Sequence, residues 1–229
     1  VDASRVSLTG ASWGGYLSCV VAGLDDRLAC VVPVYGCGYL SELSCWSTAL
    51  PDGERADALI GFTPEQWHEW DRHFDPRHFL PGATMPLLFV NGTNDFAYPV
   101  ESWDKSALLP PGPVRRSLRP RFTHKHTSSW NTPEVARMID HVARSKTPPP
   151  AIARPTLQAA TLTTAINAAA GTTPGLPTLW HADAAEHWYT RAWEAAPATL
   201  DGNVIAAPLP ERDAARTIMY FTVTDDDET

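Results

Sequence analysis

The stretch Thr9-Gly10-Ala11-Ser12-Trp13-Gly14 constrains this chain more than any other. Before it, Arg5-Val6-Ser7-Leu8-Thr9 alternates apolar and polar residues and is rich in β-formers, which predicts a strand. After it, Tyr16 to Leu24 is apolar and small, and predicts a buried helix closed by Asp25-Asp26-Arg27. A serine held between glycines at a strand-to-helix junction needs a sharp turn, with the glycines giving room for close backbone approach and the hydroxyl exposed. The plainer alternative is a glycine–serine turn between two core elements.

A serine at its free pKa is a weak nucleophile, so the first reading requires a base and an acid to hold that base. Pro86 to Val90 is a continuous apolar run followed by Asn91-Gly92-Thr93-Asn94-Asp95, and predicts a buried parallel strand ending in a loop. Asp95 is then expected just past the carboxyl end of a strand, where open α/β sheets place their ligands. Asn94 and Asp95 are also ordinary turn residues. Arg115 to Phe122 predicts a further strand, bent or at an edge because of Pro120, with Arg115, Arg116, Arg119 and Arg121 turned to solvent. His124 and His126 follow it; one apart on a strand they would face opposite ways, so at most one of them serves as the base.

Three stretches together resemble the acetylxylan esterase-like branch of the α/β-hydrolases, the branch related to dienelactone hydrolases and prolyl oligopeptidases. They are Thr9 to Leu40, Phe74 to Pro99 and Thr123 to Ala143, so the resemblance covers Val1 to about Ser145. It implies Ser12 as nucleophile, Asp95 as the acid and His124 as base, with His126 as the alternative; Lys125 stands where the family has glycine. It also implies a serine carboxylesterase acting through an acyl-enzyme on acetyl or other short acyl esters, with a small ester or acylated carbohydrate as substrate. The Trp13 backbone N–H is the expected oxyanion donor, and a second is expected from a loop upstream of the turn. An α/β-hydrolase sheet has several strands ahead of that point, so this sequence is expected to be a piece of a longer protein, and weakly active, inactive or poorly folded by itself.

The acidic balance, a formal net charge of −8, offers no basic stripe for nucleic acid. No apolar run approaches the roughly 18 residues of a membrane span. The cysteines Cys19, Cys30, Cys37 and Cys45 lack a zinc spacing and are read as free thiols, with a Cys37–Cys45 pair possible in an oxidising compartment. His68, His73 and His78 recur every five residues, not the three or four that would stack them on one helix face. No metal or cofactor is expected. The same region, with Trp46, Trp67, Trp70, Phe74 and, after the histidine loop, Trp130, is read as a helical cap whose aromatics either stack on substrate or fill the core.

Thr132 and Pro133 predict the start of a helix whose Val135, Met138, Ile139 and Val142 lie at helical spacing. The proline-rich segment 148–156 then reads as a linker between a partial α/β-hydrolase domain, 1–147, and an all-β module, 157–229. Strands are expected at Gln158–Ala165, Pro177–His181, His187–Trp193, Val204–Leu209 and Thr217–Thr224. The module resembles an Ig or fibronectin-like sandwich lacking a last strand. A binding role, with the sandwich recognising sugar or a partner and the hydrolase half degenerate, is the alternative function; a prolyl-oligopeptidase-like peptidase is the alternative enzyme.

Overall fold

The computed structural model describes residues 2–51, 61–129, 131–170, 174–211 and 213–225. It divides into two compact units, Val1–Lys146 and Thr147–Thr229.

The first unit is built on four parallel strands, β1 (Ser7–Ala11), β2 (Cys30–Val34), β3 (Leu87–Gly92) and β4 (Val114–Arg119), hydrogen-bonded in that order. Every residue of β2 and β3 is buried, as a parallel sheet covered on both faces requires of its inner strands. Helix α1 (Trp13–Leu24) follows β1 directly and packs on β1 and β2. Two glycines make that approach possible. A Cβ on Gly15 would lie 2.4 Å from the Val34 carbonyl oxygen, and one on Gly36 would lie 2.2 Å from the Gly15 carbonyl carbon. On its other side α1 presents Trp13, Leu17, Val21 and Leu24 to solvent, an apolar stripe at helical spacing.

Between β2 and β3 the chain makes α2 (Pro64–Phe74), opened by a capping box in which Thr63 and Gln66 satisfy each other's backbone N–H groups. A 3-10 turn at Pro76–His78 follows. Buried Asp75 joins these parts: its carboxylate accepts from the N–H groups of Tyr39, Leu40 and Arg77. Helices α3 (Val100–Ser106), α4 (His126–Ser129) and α5 (Pro133–Arg144) complete the unit, α5 packing on β2 and β3 through buried Met138.

The second unit is antiparallel throughout. Its strands are β5 (Ala151–Ile152), β6 (Thr156–Gln158), β7 (Thr161–Asn167), β8 (Pro174–Asp183), β9 (Glu194–Pro197), β10 (Thr199–Asp201), β11 (Val204–Pro208) and β12 (Thr217–Asp225). One sheet runs β10-β11-β7-β5 with β6 also on β7, and the other runs β12-β8-β9. Leu162 and Ile166 of β7, Ile205 and Ala207 of β11, Leu179 of β8 and Phe221 of β12 form one core drawn from both sheets. On β7 the burial alternates along Thr161–Asn167, as a strand with one wet face must.

The structure departs from the sequence expectations in three places. The segment expected as a linker contributes a strand, because Ala151 and Ile152 pair with Asn167 and Ile166. His187–Trp193 is not a strand: Thr190 N–H donates to the His187 carbonyl, and Ala192 N–H donates to the Glu186 carboxylate, folding the segment back so that both Trp188 and Trp193 are buried. β4 ends at Arg119, before the turn at Pro120 and Arg121, and its arginines do not all face water. Arg119 pairs with Glu134 and lies over the Phe122 ring. The expected lack of a last strand falls on residues 226–229, which lie outside the described residues.

Candidate active site

Ser12 stands at the junction of β1 and α1 with φ 59° and ψ −121°, a backbone conformation rare for a residue with a Cβ. Its N–H donates to the Val34 carbonyl and its carbonyl accepts from Tyr16 N–H, so the strand on one side and the helix on the other hold the turn. Gly10 allows it to be this tight, since a Cβ there would lie 2.3 Å from the Gly14 carbonyl oxygen. The side chain consequently leaves the sheet at the carboxyl end of β1.

Asp95 lies in the loop after β3 and is almost wholly buried. Its Oδ1 accepts from the N–H groups of Ala97 and Tyr98, at 2.8 and 2.9 Å. Asn91 pins the far side of this loop through a bond from its side-chain amide to the Tyr98 carbonyl. Thr93 ties the loop to the segment after β4: its hydroxyl oxygen accepts from Arg121 N–H and its own N–H donates to the Arg119 carbonyl.

His124 closes the arrangement. Its Nδ1 lies 2.8 Å from Asp95 Oδ2 and its Nε2 lies 2.8 Å from Ser12 Oγ, so one imidazole bridges a buried carboxylate and the serine of the turn. With Asp95 accepting at Nδ1, that nitrogen carries the proton and Nε2 is left as an acceptor for the hydroxyl. Among the described residues, three aromatic rings lie against the imidazole: Tyr35 at 4.7 Å, Phe96 at 5.1 Å edge-on and Tyr98 stacked at 5.8 Å. Burial, helped by the nearby Asp95 charge, pushes both tyrosine phenols well above their usual range, so they remain neutral hydroxyls beside the imidazole.

Residues 123–125 have no regular structure and His126 opens α4, so the opposite-face argument for two histidines on a strand does not apply. The side chain of His126 lies outside the described residues. His124, by contrast, already engages both Ser12 and Asp95. Trp130 also lies outside the described residues.

Around the serine, the Trp13 indole is partly exposed and packs against Trp46 at 4.8 Å and Trp70 at 6.3 Å. Trp70 continues into a groove of about 380 Å³ lined by Phe62, Gln66, Glu69, His73 and Phe74. The N–H groups of the first turn of α1, Trp13 included, have no acceptor within the helix and sit where the helix dipole favours negative charge. Cys19, Cys30, Cys37 and Cys45 are buried and joined in no disulfide, and burial raises the Cys37 pKa well above the usual thiol value. His73 pairs with Glu69 and His78 with Asp71.

Sequence reasoning singled out Ser12, Asp95 and His124 but missed Tyr35, Thr93 and Tyr98. Nothing in periodicity marks a tyrosine at a strand end as a neighbour of a residue 89 positions further on, whereas Gly-x-Ser-x-Gly is visible locally.

Comparison with known proteins gives a consistent relationship. The profile of the Prolyl oligopeptidase family matches residues 1–106. Over 133 residues the chain is 30% identical to human "Acylamino-acid-releasing enzyme", covering 54% of this chain and 18% of that protein. In fold it is similar to an acetyl xylan esterase from Paenibacillus sp. R4, with a TM-score of 0.52 at 21% identity, over 62% of this chain and 46% of that one. Acetyl Xylan Esterase 1 from Thermoanaerobacterium sp. JW/SL YS485 is similar at a TM-score of 0.50 and 20% identity, over 61% and 46%. The chain thus spans about half the length of these esterases and under a fifth of the human protein. Over the part of the chain that these matches cover, its sequence is similar to the prolyl oligopeptidase family and its fold to that of acetyl xylan esterases.

Proposed function

We propose that this chain carries the reacting groups of a serine carboxylesterase that hydrolyses acetyl or other short acyl esters, with an acylated carbohydrate as substrate. The observation that supports this best is the continuous hydrogen-bonded path from Ser12 Oγ through His124 to buried Asp95. Ser12 Oγ attacks the ester carbonyl as His124 Nε2 takes its proton. Asp95, accepting from Nδ1, keeps the imidazole in the tautomer that can do this and stabilises the imidazolium that results. The oxyanion develops at the N-terminus of α1, where the Trp13 N–H donates. His124 returns its proton to the departing alcohol, and water, deprotonated by the same imidazole, then releases the acid from Ser12. These steps use no metal or cofactor.

The substrate class is read from the fold likeness to acetyl xylan esterases and from the exposed Trp13, whose ring offers a stacking face beside the serine. Peptidase activity is the second reading, favoured by the Prolyl oligopeptidase family match, since the same three residues can cleave an amide. For the remainder we infer a catalytic domain at 1–147, a junction at 148–156 and an Ig or fibronectin-like module at 157–229. Two antiparallel sheets sharing one core support that module.

The test is hydrolysis of p-nitrophenyl acetate beside an N-acetylated amino-acid p-nitroanilide, with fluorophosphonate labelling of the folded chain. The ester is expected to be cleaved preferentially, and Ser12→Ala to remove both turnover and label, by about 10⁴-fold or more. Preference for the anilide would replace the esterase with the peptidase. Absence of Ser12-dependent label and turnover in folded protein would leave a binding role.

A further inference from the structure

Tyr35 is the first residue after β2 and has φ 54°, a left-handed conformation that a bulky residue rarely adopts. It is 1% exposed, so the strain lies inside the unit and not at a free loop. Backbone strain of this kind points to a local requirement that the rest of the structure upholds. Here the neighbours hold it from both sides. Its N–H donates to the Val90 carbonyl, and Gly36, the next residue, is wedged against Gly15.

The side chain that leaves this turn meets three consecutive residues of the segment carrying His124. Its ring stacks on Phe122 at 5.1 Å and packs on His124 at 4.7 Å, and its hydroxyl donates to the Thr123 carbonyl at 3.1 Å. That segment has no regular structure of its own. Asp95 restrains the imidazole at one atom, whereas Tyr35 restrains both the ring face and the backbone immediately before it.

We propose that Tyr35 is a positioning residue: its left-handed turn at the end of β2 clamps residues 122–124 and thereby sets the His124 imidazole between Ser12 and Asp95. The proposal rests on the reading of Ser12 and His124 as nucleophile and base. Two variants separate its parts. Tyr35→Phe keeps the ring and removes the bond to Thr123, whereas Tyr35→Leu also removes the ring packing.

The experiment measures, on the 229-residue chain, the second-order rate of fluorophosphonate labelling at Ser12, corrected for folded fraction. The low-field proton resonance of the imidazole Nδ1–H is followed alongside. Tyr35→Phe is expected to slow labelling about tenfold and Tyr35→Leu about a hundredfold, since a displacement of about 1 Å in a reacting group costs that order of rate. In Tyr35→Leu the low-field resonance is expected to weaken, because an imidazole drawn away from Asp95 loses the acceptor of its Nδ1–H. A merely structural tyrosine would lower the melting temperature and leave the resonance in place. Labelling and resonance equal to the parent in both folded variants would overturn the proposal. If the folded parent does not label, the serine-hydrolase reading fails on its own, and the resonance still decides whether Tyr35 holds the His124–Asp95 bond.

Discussion

Ser12 shows how a single residue is committed by its neighbours. Its φ of 59° costs about 1 kcal/mol or more for a residue with a Cβ, and it persists because Val34 and Tyr16 bond its backbone on both sides. Asp95 and His124 follow the same logic through hydrogen bonds instead of strain. An Asp95→Asn change preserves shape but no longer holds Nδ1 as the proton carrier, so ester turnover is expected to fall about 10⁴-fold with little change in melting temperature. His124→Ala is expected to remove activity while His126→Ala reduces it only mildly, since His124 makes both bonds. Equal mild losses in the two variants, read side by side on p-nitrophenyl acetate, would break this assignment.

At the scale of elements, the packing of α1 on β2 is set by glycines. Replacing Gly15 by alanine adds about 1 kcal/mol of helix propensity but drives a Cβ into the Val34 carbonyl, and overpacking of this kind costs about 1–3 kcal/mol or more. Backbone cannot step aside as a flexible side chain could, so net destabilisation is expected, read as a lower urea midpoint at unchanged slope. The link between α2 and the 3-10 turn after it is electrostatic. Burial works against the Asp71 charge, but bonds from Arg77, His78 and Ser41 together with the Arg77 charge outweigh it and hold its pKa below the usual carboxylate range. A depressed folded-state pKa stabilises above the unfolded value, and that stability is lost as pH falls through the folded one. Asp71→Asn is therefore expected to cost about 1–3 kcal/mol near neutral pH, with the difference from the parent shrinking below about pH 4 in urea titrations.

Across the whole molecule, the two units have separate cores, and this predicts how damage is confined. Ile205 is fully buried in the second unit, where truncation to alanine costs about 2–5 kcal/mol. The Ile205→Ala chain is expected to lose the second unit's cooperative melting while Ser12 keeps its labelling rate; a parallel fall in both would show the units to be one cooperative system. Much of this architecture is written locally in the chain. The unbroken apolar run at Leu87–Val90 announces a strand buried on both faces, and Thr132 with Pro133 announces a helix start. His187–Trp193 misleads because its aromatic residues fit a strand's composition, whereas Trp188, Arg191 and Trp193 are buried by a chain that folds back on itself.

Sequence by itself determined the elements whose physics is short-ranged: the glycine-flanked turn at Ser12, a buried parallel strand, and an aspartate and two histidines placed after strand-like runs. Only the tertiary structure decided which groups meet. Ser12 and His124 lie 112 positions apart, and their 2.8 Å contact depends on the order in which β1, β2, β3 and β4 pair. Tyr35 owes its place to that same pairing, because the backbone turn that aims it at residues 122–124 exists only where β2 is gripped between α1 and β3. Local propensity acts over a few residues, whereas the geometry that lets a hydroxyl share a proton with an imidazole is a property of packed strands that the chain reaches only once it is folded.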